Sequence, residues 1–99
     1  MRLTPAQVDI IKRTAQSVLG SGARVVLFGS RVNDQLKGGD IDLLVELDTP
    51  VAHKAQAVGQ MYAQLIRQLG DQKIDILIKD PTAAPAAVFD VARQTGVVL

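Results

Sequence analysis

Residues 25–47 read VVLFGSRVNDQLKGGDIDLLVEL, and the fold turns on how that stretch is divided. It opens with an apolar, β-branched run, Val25-Val26-Leu27-Phe28, which Gly29-Ser30 interrupts. A polar segment follows from Arg31 to Gly39, and then a second apolar run, Ile41 to Leu47, with Asp40 and Asp42 at its start. Side chains alternate faces along a strand, so residues two apart point the same way. A strand over Ile41–Leu47 therefore sets Asp40 and Asp42 on one face and gives Ile41, Leu43 and Val45 to a core on the other. The stretch predicts two strands, Arg24–Phe28 and Ile41–Leu47. It also predicts a pair of carboxylates fixed side by side near a small-residue turn.

Such a pair is unfavourable on its own. Two like charges about 4 Å apart repel by about 4 kcal/mol at the effective dielectric of a protein surface. A cation between them removes the difficulty, and ligands that are all oxygen suit Mg²⁺ or Mn²⁺. Mg²⁺ commonly takes one or two protein carboxylates and completes its shell with water and phosphate oxygens. Gly29-Ser30 complements this, because glycine lets a phosphate approach the backbone while a serine hydroxyl and nearby N–H groups donate to it.

The spacing G-S-x(9)-D-x-D between two strand-like runs resembles the signature of the DNA polymerase β-like nucleotidyltransferase superfamily. It is most similar to the minimal nucleotidyltransferase (MNT) group, through Phe28-Gly29-Ser30-Arg31 and Gly39-Asp40-Ile41-Asp42-Leu43-Leu44-Val45. The resemblance implies a third carboxylate on a later strand, and Asp75 within Lys73-Ile74-Asp75-Ile76-Leu77-Ile78 fits. It further implies that Asp40, Asp42 and Asp75 are catalytic and hold one or two Mg²⁺ ions. Gly29 and Ser30 would then position the phosphates of ATP, with Arg31 near them. MNT proteins of this size resemble the antitoxins of toxin–antitoxin pairs, whose partners are HEPN-type ribonuclease toxins. The implied activity is transfer of AMP onto a hydroxyl of that partner. The alternative is a non-catalytic binding module that masks the toxin by contact alone, and a third possibility is a structural subunit of a larger assembly.

Composition excludes several other classes. The chain has 99 residues, which predicts one small domain, 1–99, and 47% of them are apolar, enough for a core. Aromatic residues are only 3% and the net charge is +1, so neither stacking platforms nor a basic surface for nucleic acid is expected. With no cysteine and one histidine, thiolate and zinc sites are not expected. No run approaches the roughly 18 apolar residues of a membrane helix and the N-terminus has no signal core, so the expectation is a soluble, cytoplasmic protein without membrane contact.

Along the chain, Thr4-Pro5-Ala6-Gln7 predicts a helix start with a capping box, followed by Val8, Ile11, Ala15, Val18 and Leu19 at helical spacing and a stop at Gly20 and Gly22. A short helix is expected at Arg31–Leu36 and a loop at Lys37–Gly39. A second long helix is expected from about Val51 to Leu69, capped by Asp48 or Thr49, with Ala55, Val58, Tyr62, Leu65, Ile66 and Leu69 on its inner face. A third strand at Lys73–Ile78, a turn or a cap at Asp80-Pro81, a helix at Ala86–Gln94 closed by Gly96, and an edge strand or docking tail at Val97–Leu99 complete it. The fold class is α/β (α+β), a small mixed sheet flanked by helices, packed on one side.

Each residue also has a plainer use. Asp40, Asp42 and Asp75 serve equally as acids facing water, Gly29 as a tight turn, Ser30 as a helix cap, and Arg31 and Lys37 as solvated cations. Tyr62 is assigned to the core, His53 to the surface without a role, and Glu46 to a position flanking the acids.

Overall fold

The computed structural model describes residues 3–29 and 40–99. The expected helix at 31–36, and with it Ser30, Arg31 and Lys37, lies outside the described residues. Helix α1 (Pro5–Leu19) starts as its sequence dictates: Thr4 Oγ1 accepts from the Gln7 amide at 3.1 Å and Gln7 Oε1 accepts from the Thr4 amide at 2.9 Å. It ends at Gly20 with φ 103°, a conformation that glycine adopts without penalty.

Strand β1 (Arg24–Phe28) pairs antiparallel with β2 (Ile41–Glu46), Val26 opposite Leu44 and Phe28 opposite Asp42. Helix α2 (Lys54–Leu69) makes the crossover that a parallel neighbour requires. That neighbour is β3 (Ile74–Lys79), with Asp42 beside Asp75 and Leu44 beside Leu77. After α3 (Ala87–Thr95) the chain adds β4 (Val97–Val98) antiparallel to β1. The sheet has four strands in the order β3-β2-β1-β4, the mixed sheet and helices that the sequence predicts.

The main core lies between the sheet and the first two helices. Ile11 and Ala15 of α1 and Ala57, Met61 and Leu65 of α2 close over Leu27, Ile41, Leu43, Val45, Ile74 and Ile78. A smaller cluster, Val26, Leu44 and Ala92 with Phe28, Leu77 and Phe89 against it, lies on the opposite face under α3. The expectation of helices on one side is thereby corrected. Leu44 and Val26 fall on the face opposite Leu43 and Val25, so the central strands are apolar on both faces and need cover on both. Gly96 lets α3 approach β1 closely, since a Cβ there would collide with Val26 and the Ala92 carbonyl.

The entry to α2 also differs from expectation. The helix begins at Lys54, and its N-cap is His53, which makes no side-chain cap bond, rather than Asp48 or Thr49. The reason is Asp80, whose carboxylate accepts from the Val51 amide at 2.7 Å and so holds residue 51 outside the helix. The buried stripe is correspondingly Ala57, Met61 and Leu65, while Ala55 is exposed and Tyr62 is 42% exposed, not core.

Asp80 is more than a turn residue. Its buried carboxylate also accepts from the Thr82 amide at 3.0 Å and the Thr82 hydroxyl at 2.8 Å, and lies 3.1 Å from the Lys54 ammonium. These donors, the Val51 amide foremost, hold its carboxyl well below the ordinary carboxylate range. A depressed acid contributes stability that is present above its unfolded pKa and lost as pH falls below it. Asp80→Ala strands four donors and is expected to lower Tm by about 10 °C or more at neutral pH. Melting curves taken down to acidic pH should show the gap from wild type narrowing, and a constant gap would sink the assignment.

Candidate active site

Alternation places Asp42 and Asp75 on the face of Leu44 and Leu77, the one that α3 covers only in part. Neighbouring strands lie about 4.8 Å apart, so two acids in register are close neighbours. Asp42 is half-buried beside Phe28, and Asp75, on the edge strand, is exposed. Burial, then the charges of Asp75 and Asp40, push the Asp42 carboxyl above its ordinary range. Among the described residues these acids meet one cation, Lys73, and so carry a charge deficit.

Asp40 lies one residue before β2, half-exposed, with its Oδ2 3.6 Å from the Lys73 ammonium. Gly29, at the end of β1, has φ 78°. A Cβ at that position would collide with the Asp42 carboxylate, whose Cγ lies 3.2 Å from where the Cβ would stand. The bare α-carbon of Gly29 and the Asp42 side chain therefore pack against each other. Of the six expected site residues, the fold brings Asp40, Asp42, Asp75 and Gly29 to one end of the sheet. Ser30 and Arg31 lie outside the described residues.

Whether the acids suit a divalent metal follows from their chemistry. Among the described residues no set of three acid or imidazole side chains is gathered as a metal site. Asp42 and Asp75 form a two-carboxylate pair short of positive charge, while Asp40 is engaged by Lys73. Two carboxylates with the remaining positions open to water and phosphate oxygens is how Mg²⁺ is commonly held, so the residues fit that ion.

Glu46 sits at the far end of β2 and is committed elsewhere. Arg93 of α3 donates to it through Nε at 3.2 Å and Nη2 at 2.5 Å, which holds its carboxyl below the ordinary range and ties α3 to the sheet. The Arg93 and Lys73 contacts escaped sequence reading, though the alternation that places Asp42 also places Glu46 on the α3 face. One concavity, lined by Arg24, Glu46, Lys79, Asp80 and Arg93, lies at this far end of β2.

Three helices on a four-stranded mixed sheet of this order are consistent with the polymerase β-like nucleotidyltransferase fold. The sequence model of the nucleotidyltransferase domain family matches residues 8–94, and the chain belongs to that family. No curated protein matches the chain at significant similarity. The chain is by class a transferase domain for nucleotidyl groups. Among the described residues no helix is long and apolar enough to cross a membrane.

Proposed function

We propose that this domain uses Mg²⁺ to transfer AMP from ATP onto a hydroxyl of a protein partner, and that it acts in the cytoplasm as an antitoxin neutralising a HEPN-type ribonuclease. The observation that carries the transfer reading is the in-register pair Asp42 and Asp75 with Gly29 packed against Asp42. The protein acceptor and the antitoxin role rest on the MNT likeness of the Gly29-Ser30 and Asp40-Ile41-Asp42 motifs. One surface feature agrees with a macromolecular acceptor: the exposed valines Val88, Val91, Val97 and Val98 on α3 and β4.

In this reading Asp42 and Asp75, with Asp40 beside them, would hold the metal, which would neutralise charge on the triphosphate and polarise the α-phosphate. Gly29 leaves the approach to Asp42 clear, and Ser30 and Arg31 donate to the phosphates. The acceptor oxygen attacks the α-phosphorus, the bond from that phosphorus to the bridging oxygen breaks, and pyrophosphate leaves. Asp75, exposed beside Asp42, takes the hydroxyl proton.

The test is incubation with ATP, Mg²⁺ and the protein encoded beside this one, followed by intact mass spectrometry of that partner. The expected result is a gain of one or more AMP units. The exposed valines favour the contact-only module as the second reading. An unmodified partner held in a tight complex, by wild type and Asp42→Asn alike, would replace the first reading with the second.

A further inference from the structure

Lys73 stands one residue before β3, and its backbone is pinned to the site, the carbonyl accepting from the Ile41 amide at 3.0 Å. The register that sets Ile41 beside Ile74 continues outward to set Lys73 beside Asp40. The ammonium lies 3.6 Å from Asp40 Oδ2, with the lysine side chain 70% and the aspartate 46% exposed. Among the described residues it is the cation that pairs with any of the three acids, and its charge also favours the ionised form of Asp42, against Asp75 and Asp40.

Among the described residues the carboxylates at this end of the sheet outnumber the one ammonium, and an exposed pair of this kind is weak enough to be exchanged. A divalent cation arriving at the acids would meet the ammonium as a like charge a few ångströms away. The lysine stem is long and free to turn, and nucleotide phosphates would bring negative charge to the same end of the sheet. We infer that Lys73 is the resident counter-ion of the acid cluster, holding Asp40 while no metal is bound, yielding it to an incoming divalent cation, and passing to the nucleotide phosphates. This makes it a positioning residue that sets metal and nucleotide affinity in opposite directions, and it rests on the metal-dependent reading of the site.

The experiment titrates Mn²⁺ into wild type, Lys73→Ala and Lys73→Arg, following free Mn²⁺ by electron paramagnetic resonance, and then measures ATP binding at saturating Mn²⁺. Lys73→Ala is expected to bind Mn²⁺ about 2- to 5-fold more tightly, the range an exposed ion pair supports, and ATP about 10-fold more weakly, as loss of one charged phosphate contact implies. Lys73→Arg should stay near wild type on both, and all three should melt alike. Mn²⁺ binding no tighter in Lys73→Ala overturns the counter-ion role. ATP binding unchanged in that variant overturns the transfer to phosphate. A wild type that takes up no Mn²⁺ overturns the metal reading itself, and this inference with it.

Discussion

Asp42→Asn is expected to lose nucleotidyl transfer by about 10³-fold or more while melting at a higher temperature than wild type. The two effects have one origin. Asp42 is half-buried beside Asp75 and within the field of Asp40, so its charge is held where the fold alone would not keep it. An acid whose carboxyl is pushed up binds its proton more tightly in the folded protein than in the unfolded chain. Its contribution to stability is therefore full at low pH and is lost as pH rises through the ordinary carboxylate range and above. Asparagine keeps the shape and removes the charge. The variant should melt a few degrees higher than wild type at neutral pH, on the order of what removal of a strained functional group gives. The difference should vanish at acidic pH, where wild-type Asp42 is protonated. Mg²⁺ adds a second readout, because a ligand that binds only the folded state raises Tm. It should raise the Tm of wild type and leave Asp42→Asn unmoved. A variant that melts below wild type at neutral pH would mean that the Asp42 charge is satisfied in the fold, and the charge-deficit account would fail.

The opposite signs of Asp42 and Asp80 show why part of this molecule is legible in sequence and part is not. Period-two alternation through Ile41-Asp42-Leu43 needs only local geometry, and it places the acids and the core face, whereas the register of Asp42 with Asp75 is set by the crossover through α2. The Thr4 capping box is equally local and is found where expected. Asp80 looks like a turn residue because its partners, Val51 and Lys54, are 29 and 26 residues away, a separation that no window on the sequence spans. That one contact moves the start of α2. The Arg93–Glu46 and Lys73–Asp40 pairs are long-range in the same way. The cover over Leu44 was readable in principle, since an apolar residue on the acid face demands a partner, but which helix supplies it depends on the path of the chain after β3. Local pattern thus gives the elements and the chemistry of the site, while long-range polar contacts set where helices begin and which acids remain available.

Gly29→Ala is expected to lower nucleotidyl transfer by about 10²-fold or more, because it disturbs the acid pair without touching an ionisable group. Two effects coincide at this position. The backbone is left-handed, with φ 78°, which costs an L-residue about 1–2 kcal/mol. The added methyl would also occupy the space of the Asp42 carboxylate, so either that side chain or the end of β1 must shift. Gly70 separates the two effects: its φ is 86°, yet nothing lies within 4 Å of a Cβ built there. Gly70→Ala should therefore lose Tm to a similar extent, from backbone strain alone, and keep full activity. Gly29→Ala should lose both, with a weakened response of its Tm to Mg²⁺. If both variants lose stability alike and both keep activity, then Gly29 serves only the turn. Its contact with Asp42 would then be a packing detail, and the case for this end of the sheet as the reacting centre would rest on the carboxylates alone.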